Sequence, residues 1–425
     1  MIRDGVAAKP IKPVPLVPVE AVELAAAPVE KSFSPEISLQ MELPHVLAAL
    51  VVALMFCVLH GRIAWDLINY PSDSKAYVTM AEQWSKTGVR PKSHFLFPAL
   101  TVAAYRSGLV SSFPAAEIAV LLASYSITAI LIYWLLYRAL RGRPWLGRPW
   151  LLAACALVIV LAQPLDYGGG YEIGYFWPTQ HDNPPSALAK PFLVISFLGT
   201  AWCLAHRRRL GLGLCAISAA ATVAGALSKP SFLICLLPAA GAIGLVRLVR
   251  RKDISITGLA LCILVPGFLV LAWQYVQTFA GTSVAREYHD TIIWAPLVVM
   301  RHYSSDLVLK CVLSVAFPLG VTVLYWSRAR TSTAMLLAWV SFLIGALYAY
   351  TLGEKANLMA GNFLWSPYAA TFVLIVASAL FFFRETPSLR GWRPVLCAAL
   401  FTLHGAAGVM AAARYWRHFH PSYFW

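Results

Sequence analysis

The chain has 425 residues, 59% of them hydrophobic and only 12% charged, with 34 Lys and Arg against 19 Asp and Glu and a formal net charge of +15. A soluble domain carries about a quarter charged residues, so the composition excludes a soluble globular protein and predicts a polytopic membrane protein. The basic excess would also suit nucleic acid. Here, however, Arg and Lys fall in short clusters between apolar runs, as positive-inside topology requires, and no nucleic-acid partner is expected.

Residues 1–42 hold six prolines and no hydrophobic periodicity, so they are expected to be a disordered cytoplasmic tail. No basic stretch leads straight into a short apolar run with a small-residue cleavage site, and no cleaved signal peptide is expected. Residues 43–425 are read as one transmembrane domain, with an amino-terminal module over about 44–250. Eleven apolar runs, each near the length a helix needs to cross about 30 Å, lie at 44–60, 115–137, 150–164, 187–205, 210–227, 231–249, 255–273, 307–327, 332–351, 367–383 and 394–413. The loops after the even-numbered runs carry 4, 3, 4, 2 and 3 basic residues, which places the amino terminus inside and the carboxyl terminus outside. The predicted fold is therefore all-α, a polytopic transmembrane helical bundle of about 11 spans, with interfacial helices in the first external loop. The expected location is a bacterial inner membrane, with the lipid bilayer as the first partner.

The loop after the first run, 62–114, carries Asp66 and Asp73. It continues as a short amphipathic helix over 74–85, with Tyr77, Met80, Ala81 and Trp84 on one face, the pattern of a helix lying in the bilayer surface. Asp73 stands where it would cap that helix. The apolar stretch Phe95–Val102 is too short to cross. All eight cysteines fall in or beside apolar runs, and no disulfide is expected.

Long loops on one face, with no soluble domain to occupy them, are expected to pack over a cavity. They collect carboxylates (Asp66, Asp73, Asp166, Glu172, Asp182, Glu287, Asp290, Asp306 and Glu354) and cations at the ends of spans (Lys190, Lys229, Arg286, Arg301, Lys310 and Lys355). Singly, such carboxylates are ordinarily solvated and such lysines snorkel. Converging, the cations would bind a lipid phosphate or pyrophosphate. The second external loop adds Tyr167, Tyr171, Tyr175, Phe176 and Trp177, then Gln180, His181, Asp182 and Asn183. These aromatic faces and hydrogen-bonding groups suit a sugar ring, and would equally form an interfacial belt. Charged residues within the spans are scarce: Glu117, Lys190 and Lys310 lie near external ends, and no coupling carboxylate is expected at mid-membrane.

The order of these features resembles a known family. A first span is followed by an aspartate-bearing external loop, then Asp73-Ser-Lys-Ala-Tyr77-Val-Thr-Met-Ala81, Gly88, an apolar half-helix with Phe97-Pro98, and a span leaving through Tyr137-Arg138-Ala-Leu-Arg141-Gly142. Over about residues 44–190 this resembles the amino-terminal module of the GT-C superfamily, the polytopic glycosyltransferases that use polyprenyl-phosphate-linked sugars. The resemblance implies transfer of a sugar from such a donor to a glycan, lipid or protein acceptor on the external face. It implies Asp73 as general base, with Asp66 competing, and Asp166 or Glu172 as the second acid. Tyr77, Tyr175, His181, Asp182, Lys190, Lys229 and Arg286 would bind substrate, the last three gripping phosphate. The family's paired acidic motif is missing, because Ser74 follows Asp73. That leaves open whether a divalent cation, magnesium or manganese, takes part. A lipid-linked polysaccharide polymerase, ligase or flippase, and a transporter, are the competing readings.

Overall fold

Pro44 in the first turn opens α1 (Leu43–Asn69), and the helix runs on until Pro71 removes the next backbone donor. The computed structural model describes residues 41–70, 72–91, 94–140, 147–166, 173–179, 181–207, 210–277, 291–386 and 389–417. The predicted tail lies outside these residues apart from Met41 and Glu42. Helix α1 is longer than the run at 44–60 because Ile63 and Leu67 continue its apolar face onto Ala412. Asp66, expected in a loop, therefore sits on the last turns of α1.

Helices α2 (Asp73–Thr87) and α3 (Leu96–Arg106) follow. Ser72, rather than Asp73, caps α2: its hydroxyl accepts from the Lys75 amide at 3.3 Å. Gly88, with φ +75°, closes the helix by donating to Trp84 O at 2.9 Å. Tyr77, Val78 and Ala81 are buried and Met80 is exposed. At 11 residues α3 rises only about 16 Å and does not cross.

The remaining helices are α4 (Phe113–Leu140), α5 (Pro149–Leu161), α6 (Pro184–Ala205), α7 (Leu212–Ser228), α8 (Leu233–Val249), α9 (Ile256–Tyr275, with a π turn over Ala260–Leu264), α10 (Val298–Tyr303), α11 (Leu307–Ser314), α12 (Ala316–Leu324), α13 (Trp326–Ala329), α14 (Thr333–Thr351), α15 (Trp365–Glu385) and α16 (Trp392–Arg417). Strands β1 (Ile292–Trp294) and β2 (Leu352–Glu354) form one antiparallel pair, with Ile293 opposite Gly353. Helices α1, α4, α6, α9, α14, α15 and α16 are long and apolar enough to cross a bilayer, the 3-10 turns before α15 counting with it. The helices α5, α7 and α8 are apolar but only 13, 17 and 17 residues long. Exposed Leu47, Leu50, Leu54 and Val58 give α1 an apolar outer face. Trp392 and Trp416, both exposed, lie about 36 Å apart along α16, the separation of two aromatic belts.

The eighth predicted run is broken. Helices α11 and α12 meet at 71°, because Pro318 has no N–H to give and its ring would strike the carbonyl of Ser314 one turn earlier. Irregular backbone inside an apolar bundle must find partners, and His404 of α16 provides them. Its Nε2 accepts from Phe317 N at 3.2 Å, so Nδ1 carries the hydrogen and donates to Gln163 O at 2.6 Å. That second bond secures the extended chain after α5, where Pro164 ends helical geometry. His404→Leu is expected to strand both buried groups and cost about 2–6 kcal/mol, read as a lower thermal midpoint in detergent.

Helices α6 and α15 are the most enclosed spans, with 78% and 83% of their central windows buried. Helix α6 packs on α4, α7 and α15, and α14 lies along α15. Cys215 of α7 and Cys262 of α9 are joined as a disulfide, against the expectation of none. The π turn brings Cys262 to its partner across a helix pair that the sequence alone does not show to be adjacent.

Candidate functional site

The site forms where α6, α7 and α15 meet the start of α2. Asn183 precedes Pro184 and Pro185, the arrangement that starts a helix, and caps α6 by accepting from Ser186 N at 3.2 Å and Ser186 Oγ at 2.7 Å. Its Nδ2 donates to Asp73 Oδ2 at 2.7 Å, and its Oδ1 also accepts from Lys229 Nζ at 3.0 Å. Lys229 is the residue at which Pro230 stops α7. Its ammonium lies 3.7 Å from the centre of the Trp365 ring.

One turn along α6, Lys190 is buried, its Nζ 3.3 Å from Thr179 Oγ1 and between the rings of Tyr125 and Phe372. A narrow cleft is lined by Trp177, Lys190, Lys229, Trp365, Tyr368 and Phe372. It follows α6 and α15 inward for about two turns, from Ser186 to Leu193 and from Trp365 to Phe372.

Asp182 stands beside Asp73. Burial and the like charge of Asp73 push its carboxyl up to about 6, against the pull of its own amide and Lys229. Burial pushes Lys229 down to about 7, with Asp73 and Asp182 opposing. The half-buried His94 lies between Lys229 and Tyr77, on a backbone with φ +52° that side chains rarely adopt. Burial and the neighbouring Lys229 hold its imidazole at about 3, so it is neutral, and its Nδ1 has no partner among the described residues.

Four of the expected residues therefore come together: Asp73, Asp182, Lys190 and Lys229. Tyr77 borders the same space, and the remaining ones lie elsewhere or outside the described residues. Tyr77 is buried against Phe97 and Leu188. His181 is buried between His60 and Tyr415, with ring centres at 4.9 and 5.0 Å. Asp66 is bound by Arg62 Nε at 3.0 Å. Asp166 accepts from Arg414 at 3.2 Å and from the Tyr175 hydroxyl at 3.3 Å, and Lys310 stands over the Tyr175 ring. Glu172 and Arg286 lie outside the described residues. The partner of Asp73 is thus Asp182, not Asp166. Asp166→Asn is expected to cost under about 1 kcal/mol, because Arg414 is 60% exposed. Chemical denaturation of the two proteins side by side checks this.

Sequence reasoning missed Asn183 as a hub and did not single out Ser186, His94 or Trp365; Glu117 was noted only as a charge near the external end of a span. The Asn-Pro-Pro cap signal was available; the others carry no local signature. Glu117, on α4 beneath Ser74 and Tyr77, is fully buried, and neither carboxyl oxygen has a hydrogen bond among the described residues.

Among the described residues no three metal-binding side chains converge. The chain is a multi-pass helical membrane protein with a charged, aromatic-lined cleft at one end of its two most enclosed helices. No protein-family profile, curated protein or solved structure matches it.

Proposed function

We propose that this protein is a glycosyltransferase of the GT-C kind, moving a sugar from a polyprenyl-phosphate donor to an acceptor hydroxyl on the external face of a bacterial inner membrane. In this reading all eleven apolar segments cross, and α2 and α3 rest on the outer leaflet. The observation that carries the proposal is the placing of the Asp73 carboxylate and the Lys229 ammonium on one amide, above a cleft walled by Trp177, Trp365 and Tyr368.

Asp73 takes the proton of the acceptor hydroxyl while its oxygen bonds to the anomeric carbon. The bond from that carbon to the phosphate oxygen breaks, and its electron pair stays on the departing lipid phosphate. Lys229 and Lys190 meet that charge, and the indole and phenol faces stack the sugar. The test is transfer of labelled sugar from a polyprenyl-phosphate donor in proteoliposomes. Donor left unconsumed across acceptor classes would end the proposal.

The buried Glu117 favours a transporter as the second reading, since an acid enclosed beneath a charged cleft, with the Ser74 hydroxyl beside it, is what proton coupling uses. Solute uptake that depends on a proton gradient, with no lipid-linked sugar consumed, would establish it.

A further inference from the structure

Asp73 and Lys229 carry opposite charges within reach of the same side chain, yet they do not pair. Among the described residues the ion pairs are Arg62–Asp66, Lys86–Glu82, Arg328–Glu385 and Arg414–Asp166. What stands between Asp73 and Lys229 is the Asn183 amide. Its orientation is determined by its neighbours: Oδ1 takes Lys229 Nζ, Ser186 Oγ and Ser186 N, three donors that would face an NH2 group if the amide were turned over. Nδ2 must therefore face Asp73, and it engages only Oδ2.

We infer that Asn183 is a positioning residue whose amide holds Asp73 and Lys229 apart, so that the first stays a free base and the second a free anion-binding cation. The inference rests on the role proposed above for Asp73. A direct ion pair would stabilise the carboxylate, weakening it as a base, and would occupy the ammonium that the donor phosphate needs. The interposed amide donates to the acid and accepts from the amine, so neither is consumed by the other. Asp182, His94 and Tyr77 face the same space from the loops before α6 and α3 and from α2, and Lys190 shares the cleft.

Ordinary capping of α6 is the competing role, and it is separable because Ser and Asp cap helices as well as Asn does. Asn183→Ser removes the group that reaches Asp73, leaving it free to pair with Lys229. Asn183→Asp keeps an acceptor for Lys229 and sets a second carboxylate against Asp73. Both variants should fold with unchanged thermal midpoints. With farnesyl-phosphate-linked hexoses as donor, kcat should fall at least tenfold in each. The acid limb of the pH–rate profile should move to lower pH in Asn183→Ser and to higher pH in Asn183→Asp, opposite displacements that loss of a cap cannot produce. A second readout needs no activity: the pH midpoint for acetylation of Lys229 by acetic anhydride should rise in both variants. An unmoved acetylation midpoint overturns the inference, as do unmoved acid limbs in variants whose Asp73→Asn counterpart is inactive. Full transfer by Asp73→Asn overturns the proposed function, and the inference with it.

Discussion

Asp73→Asn is expected to lower the rate of sugar transfer by about 10² to 10⁴ while leaving donor binding nearly unchanged. The substitution keeps the size of the side chain and its place in the first turn of α2, and it removes only the ability to accept a proton. Three companions give the result its meaning. Asp66→Asn touches a carboxylate already held by Arg62 on the flank of α1, and Asp166→Asn one held by Arg414 and Tyr175. Both should transfer within a few-fold of the parent protein. Asp182→Asn removes the carboxyl that titrates near 6 beside Asp73, and should remove the inflection near pH 6 from the pH–rate profile. The measurement is single-turnover transfer in proteoliposomes against donor concentration, which separates chemistry from binding. Wild-type rates in Asp73→Asn, or losses of similar size in Asp66→Asn and Asp166→Asn, would remove Asp73 from the base role.

Seven of the apolar segments were legible as helices long enough to cross, punctuated by Arg, Lys or Pro, whereas those that became α5, α7 and α8 are shorter. What escaped was geometry carried by single residues. Pro318 sits inside a run that reads as one span, and only the fold shows that the chain turns through 71° before it. The run at 44–60 looked complete at Gly61, yet α1 continues because Ile63 and Leu67 find Ala412 more than 340 residues away. Within the site, Lys190 and Lys229 were visible as lysines beside prolines at the ends of spans. Asp73 was visible through the amphipathic helix that follows it. Its pairing with Asp182 rather than Asp166 depends on the loop before α6 folding inward, where Thr179 bonds both Val160 O and Lys190 and fixes the approach of Asp182 and Asn183. No period or spacing encodes that. Trp365 likewise reads as an ordinary interfacial tryptophan until Lys229 is seen over its ring.

Lys229→Met is expected to lower kcat/KM for the lipid-linked donor by about 10² to 10³ and yet raise the thermal midpoint of the protein. The first effect follows from losing the cation that meets the phosphate. The second follows from burial, which holds Lys229 at about 7 in the folded protein against 10.5 in the unfolded chain. Between those values the unfolded chain binds a proton that the folded protein does not, so stability rises with pH across that interval, and below it the buried charge is a standing cost. An apolar side chain of similar length removes the cost. Ligand binding runs the other way. A phosphodiester donor keeps one negative charge throughout and favours the protonated amine, so its affinity should level off between about pH 6 and 7 and fall by up to tenfold per unit above that. Protonation of Asp182 below about 6 should tighten it further by removing a nearby negative charge. Lys229→Arg cannot titrate in this range and should abolish the fall above pH 7 while retaining binding. Donor affinity measured from pH 5.5 to 8.5 on the three proteins decides the matter. If Lys229→Met destabilises the fold, or Lys229→Arg keeps the alkaline fall, the anion-binding role passes to another group in the cleft, with Lys190 the next to test.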